Sequence, residues 1–308
     1  MYTGQNNLPC TVPTGVTAVA AAMSVQTGYT NTITVQGTLA PSSLTQKNGT
    51  ITISSGGNLN WVAGTVGPSA ELDVLSGGTL NITTTAAHNV AGGTIIVAGA
   101  ANRTGVQNET ASINITNQGD FNLQSGGVLT ASANTTESIT GDGSGLFFNQ
   151  GGTVSVGSGG SLNISTPSQS QLGSFTASAA TSFIVFNAAA TWDDGTAVTG
   201  AGTITSNGNV TLGGTVTEQV GTNLNLNGLC TLSGPGTLQI NGTCNSSASF
   251  QGGGTVIVEP GALWNIRGAS INGFTFINDG TADWLGGFIT FPAGNITNNG
   301  SFEARCPF

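Results

Sequence analysis

The chain has 308 residues, 49 of them glycine, with Lys+Arg 4, Asp+Glu 13 and a formal net charge of −9. Its four basic residues, Lys47, Arg103, Arg267 and Arg305, stand singly, which excludes ordinary binding to a phosphate backbone, where clustered Lys and Arg are needed. No stretch has helical periodicity or approaches about 18 uninterrupted apolar residues, so neither a helix bundle nor a membrane-spanning helix is expected.

Glycine-rich, weakly charged chains are often disordered. Here Leu, Ile and Val fall in short alternating runs bounded by Gly and Asn, which is the signature of strands. The first segment, residues 1–30, differs from the rest: it holds Pro9 and Pro13, an Ala run and no Gly pair. It is expected to be a cap over the edge of a repeat array, or an arm that pairs with another subunit. It has no basic residue and no convincing leader, so a secreted protein would have its leader outside this chain, and the end at Cys306-Pro307-Phe308 fits an excerpt of a longer one.

From residue 31 onward one phrase returns. It reads Ser-Gly-Gly-Asn-Leu-Asn from Ser55, Ser-Gly-Gly-Thr-Leu-Asn-Ile from Ser76 and Ser-Gly-Gly-Ser-Leu-Asn-Ile from Ser158. Variants begin at Gly234 and Gly252. Cutting at these glycines predicts strands starting near Thr32, Thr50, Glu71, Thr94, Ser112, Gly152, Phe175, Thr203, Thr222, Thr237, Thr255, Thr275 and Ile289. Their spacing, roughly 15 to 25 residues, is that of one coil of a β-helix. The expected fold is therefore all-β: a single right-handed parallel β-helix, or β-solenoid, of about thirteen irregular coils over residues 31–308. Apolar residues stack inside, Thr, Asn and Ser face out, and Asn columns form ladders at the turns. The polar stretch 130–145 is expected to be a loop thrown out from one coil.

Trp61, Trp192 and Trp284 share the frame Trp, two residues, Gly, then a strand. Together with the glycine phrase, this frame resembles the repeats of secreted, repetitive parallel β-helix surface proteins of the adhesin or autotransporter-passenger type. The resemblance covers residues 32–303 and is one of composition and architecture. It implies the fold and an extracellular or cell-surface setting, and no particular ligand.

Twelve Asn-x-Ser/Thr sequons are candidate N-glycosylation sites: Asn48, Asn81, Asn102, Asn108, Asn114, Asn134, Asn163, Asn209, Asn241, Asn245, Asn295 and Asn299. Composition alone would supply roughly seven or eight. Four cysteines in such a chain point to an oxidising compartment. Cys230 and Cys244 each follow an Asn-Gly-x step, so equivalent positions on successive coils would place them within disulfide reach. Cys10 and Cys306 fall at opposite ends of a rod of about 60 Å. They are expected to pair between successive subunits, with pairing inside one chain through a folded-back amino-terminal arm, or an unpaired end in a truncated chain, as the rivals.

Catalytic chemistry finds few residues to work with. Polysaccharide-active β-helices need clustered carboxylates. Asp193 and Asp194 are adjacent and would point to opposite faces, Glu71 and Asp73 share a face without a third partner, and Gly280 separates Asp279 from Asp283. The single carboxylate of Gly141–Gly145 does not make a calcium loop. His88 is the only histidine, expected at the surface or in a loop. Thr32-Ile-Thr, Thr50-Ile-Thr and Thr203-Ile-Thr do not recur coil after coil, as an ice-binding face requires. The expectation is a non-catalytic structural protomer of an extracellular fibre, sheath or appendage that associates head to tail, with no cofactor, metal or nucleic acid. The alternatives are a monomeric adhesin-like stalk that holds glycans on exposed tryptophans and, third, a polysaccharide-active enzyme.

Overall fold

A computed structural model describes residues 7–82, 86–103, 113–117, 120–124, 128–131, 134, 136–140, 146–228 and 230–305. All regular structure among them is β, and every strand pairing is parallel, so the chain is the expected all-β solenoid. Each strand pairs with the strand one coil on, commonly three strands later, so a coil has three sides. The first wall begins with Cys10–Val12 on Thr32–Val35, the second with Thr17–Ala20 on Thr38–Pro41, and the third with Met23–Val25 on residues 44–46.

This corrects the one-strand-per-coil picture. The predicted starts at Thr32, Thr50, Glu71 and Thr94 lie on the first wall. Those at Thr237, Thr255 and Thr275 lie on the second, and Thr203 on the third. The glycine phrase marks corners, and two different corners use it. Ser54-Ser55-Gly56-Gly57 turns from first wall to second, with a bond of 2.8 Å from Gly57 N–H to the Ser54 carbonyl and Gly56 at φ +76°. Glycine supplies that left-handed third position without steric cost. The following Gly78 of the next coil lies so close over the Ile53 carbonyl that a Cβ would come within 2.5 Å of it. Ser158-Gly159-Gly160 makes the same turn between the second and third walls.

Residues 10–25, expected as a separate cap or arm, are wound as the first coil and pair along all three walls. The stretch 130–145 is likewise not one loop. Thr136–Thr140 is a third-wall strand, paired with Ser161–Ile164 and sending Glu137 and Ile139 inward.

Strict alternation fills the interior. Inward positions such as Ile51, Leu59, Leu72, Ile184, Leu224 and Trp264 are buried, while their strand neighbours are half-exposed. Trp61, Trp192 and Trp264 are fully buried. Trp61, Trp192 and Trp284 sit on the second, first and third walls, so their shared frame does not mark an equivalent place in the coil. Edge-to-face contacts link Phe250 to Trp264 and Trp264 to Phe276, with ring centroids 5.6 and 4.7 Å apart.

Candidate functional site: amide ladders, sequons and open end rungs

Outward positions recur every coil at the strand spacing of about 4.8 Å, which suits an amide that can donate to one neighbour and accept from the next. On the third wall Asn265 Nδ2 donates to Asn245 Oδ1 at 2.8 Å and Asn245 Nδ2 to Asn225 Oδ1 at 2.9 Å. Asn225 Nδ2 reaches Thr205 Oγ1 at 3.5 Å. A second ladder runs along the corner that follows: Asn227 donates to Asn207, Asn207 to Asn187 at 2.8 Å, and Asn187 to Ser165 at 3.2 Å. Asn81 and Asn60 form a shorter one on the second wall.

The ladders sort the sequons. The side-chain nitrogens of Asn48, Asn81, Asn241, Asn245 and Asn299 are already donors, to Thr27 O, Asn60 Oδ1, Glu218 O, Asn225 Oδ1 and Asp279 Oδ1. Asn163 is half-buried between Ser138 and Val185. Asn134, Asn209 and Asn295 are exposed. Asn108 and the side chains of Asn102 and Asn114 lie outside the described residues.

The acidic candidates do not converge. Asp194 Oδ1 accepts the Thr215 N–H at 3.0 Å and braces the next coil, while Gly213 and Gly214 close over Asp193 and Asp194. Glu71 and Asp73 share an outward face, stacked on Thr50 and Thr52, and interrupt the threonine pairs Thr32–Thr50 and Thr34–Thr52 after two coils. Burial raises the Asp73 pKa. Asp283 lies 3.5 Å from the Arg305 guanidinium, which also binds Glu303 at 2.8 Å. Asp279 accepts from Asn299 instead. No group of three His, Cys, Asp or Glu side chains is assembled among the described residues; the expected non-loop at 141–145 lies outside them. His88 is not at the surface. It is fully buried, with Nε2 3.0 Å from the Trp61 carbonyl and its ring edge-on to Trp61 at 5.0 Å.

Two buried carboxylates, Glu137 on the third wall and Glu218 on the second, escaped the sequence reading. Glu218 ends a second-wall strand and points inward, stacked between Val198 and Ile240. Its Oε2 accepts the N–H groups of Asn241 and Gly242 at 3.1 and 2.6 Å, while Oε1 has no partner. Burial dominates and lifts its pKa to about 7 despite those bonds. The only sequence signal was its place in the inward register of Thr215–Glu218.

The cysteine pairing is corrected in one place. Cys230 and Cys244 are unbonded and buried. Successive coils here step by 20 residues, so a spacing of fourteen puts the two on different sides. Cys244 is stacked between Leu224 and Trp264 on the third wall, whereas Cys230 lies just ahead of the first-wall strand Thr231–Ser233. Burial pushes the Cys230 thiol up to about 11 and raises that of Cys244 well above its ordinary value, with Glu218 and Cys230 adding to the latter. Cys10 is exposed and unbonded; Cys306 lies outside the described residues.

At both ends of the described residues, inward side chains have a coil on one side only. On the last coil Phe302 is 40 % and Ile296 46 % exposed, although Phe276, one rung below Ile296, is 1 % exposed. On the first coil the inward positions Ala18 and Ala20, which pair with Leu39 and Pro41, are only half-buried.

No known protein-family profile matches the chain, and no curated protein matches it. Among solved structures, a fragment of TibA, residues 55–350, hyper-glycosylated by TibC, aligns over 92% of this chain and 100% of that one, at 17% identity and a TM-score of 0.28. A likeness of that size transfers no function to this chain.

Proposed function

We propose that this chain is a non-catalytic structural rod of an extracellular fibre, sheath or surface appendage, whose protomers stack head to tail. The observation that carries the reading is that the first and last coils of the described residues leave strand edges uncovered, and that charge is confined there to Glu303 and Arg305 on one wall of the last coil. No charged residue precedes Lys47, and none lies between Asp283 and Glu303. Exposed sheet edges invite pairing, and proteins that must stay apart blunt them with Lys and other charges. Here the first coil carries uncharged strands on all three walls, and the last coil does so on its first and second. A second copy set in register would continue each wall and cover Phe302, Ile296 and Phe291.

The junction also suits the proposed Cys10–Cys306 link. The Arg305 N–H bonds the Trp284 carbonyl as the chain leaves the third wall, and Cys10 opens the first wall, the next side in the winding order. The adhesin-like reading called for a row of exposed tryptophans. Burial of Trp61, Trp192 and Trp264 removes that support.

Sedimentation velocity across a range of concentrations, with and without reductant, tests the proposal. The expected result is a multimer series in which Ile296→Lys leaves a monomer of unchanged melting temperature. In the multimer, non-reducing peptide mapping is expected to find Cys10 joined to Cys306. A wild-type chain that stays monomeric at every concentration overturns the head-to-tail rod.

A further inference from the structure

We propose that Asn209 carries an N-linked glycan, whose first sugar lies in a shallow groove beside it, while the ladder asparagines stay bare. The inference rests on the extracellular reading and goes beyond it by choosing among sequons that the sequence alone treats alike.

Asn209-Val210-Thr211 runs from a corner into a first-wall strand. Val210 is fully buried, which fixes the side chains of Asn209 and Thr211 on the outer surface. Asn209 Oδ1 accepts the Thr231 N–H at 3.0 Å from the following coil, so the amide is held in one orientation. Its Nδ2 makes no bond to the protein and the residue is exposed. Both sequon residues line a groove whose other walls are Pro167, Ala189, Ala190 and Thr191. Pro and Ala give an apolar floor for the C–H face of a sugar ring, and Thr191 and Thr211 give hydroxyls at its rim.

The ladder sequons differ in the atom that matters. Transfer joins C1 of the sugar to Asn Nδ2, which gives up one proton, and the lipid pyrophosphate of a lipid-linked oligosaccharide donor leaves. Asn245 Nδ2 is spent on Asn225, and Asn245 Oδ1 accepts from Asn265 one rung above. A sugar there has no room between rungs about 4.8 Å apart. Asn81 and Asn241 are tied down in the same way. A nascent chain modified at these positions would fail to close its coils, so the folded fraction carries them unmodified.

The test is secretion of the full chain from a eukaryotic host and isolation of the folded monomer. Peptide-N-glycosidase treatment in ¹⁸O-water then marks each sugar-bearing Asn as labelled Asp. Label is expected at Asn209 and absent from Asn81, Asn241 and Asn245. Asn209→Gln is expected to lose one glycan mass with at most a small fall in melting temperature from its shifted bond to the Thr231 N–H, and Asn245→Gln to lose no mass and melt lower. Label on Asn241 or Asn245 in folded monomer, or none on Asn209 beside label elsewhere, overturns the selection while leaving a glycoprotein. Absence of label at every sequon overturns the proposal together with the glycoprotein reading beneath it.

Discussion

The coils around Trp264 and the last coil share one architecture and differ in a single respect. Trp264 has Cys244 below it and Ala282 above, and is 1 % exposed. Phe302, on the same wall, has Ala282 below and no described residue above, and is 40 % exposed. An inward side chain in a solenoid is therefore buried by its neighbours along the axis as much as by its own coil. Stability is then a sum of rung-to-rung contacts, and an end rung holds half of what a middle rung holds.

The comparison breaks most sharply at the middle. Trp264→Ala removes a ring that packs on both Phe250 and Phe276, and is expected to cost about 3–5 kcal/mol in urea unfolding. Phe302→Ala should cost the monomer less than half as much; equal losses would contradict the rung-by-rung account. Next comes pH. Glu218 has a folded pKa of about 7 against an ordinary value of 4.5, so the native state holds its proton more tightly than the unfolded chain. Stability is full below about pH 4.5 and falls as pH rises through about 7, by on the order of 3 kcal/mol. Glu218→Gln should flatten that slope, which a series of melting curves from pH 4.5 to 8 would read directly. The smallest effect is at the ladder: Asn245→Ala breaks two amide bonds and is expected to cost about 1 kcal/mol, against about half of that for Asn209→Ala, which loses one exposed bond to the Thr231 N–H.

Much of this fold was legible because its corners are chemically loud. Ser-Gly-Gly announces a turn wherever it stands, and alternation such as Thr237-Leu-Gln-Ile240 announces a strand with one buried side. What stayed hidden was which wall each strand joins. Phrases from two different corners look alike, and many strands, such as Ala190–Trp192 and Ser249–Gln251, are three residues long with no glycine pair before them. That ambiguity put Cys230 and Cys244 at equivalent positions, whereas the corners place one ahead of the first wall and the other on the third. The surface was harder still. Asn209-Val-Thr and Asn245-Ser-Ser both satisfy the sequon, and only the neighbour one coil away separates a nitrogen that is open from one already donating.

The ladders also give the rod a direction. From Asn265 to Thr205, and again from Asn227 to Ser165, every amide donates toward the amino end, whereas in the last coils Asn278 donates the other way, to Asn298. Within the two ladders the dipoles add along the axis like beads magnetised one way. Two rods meeting carboxyl end to carboxyl end would oppose like poles, whereas a head meeting a tail prolongs the column.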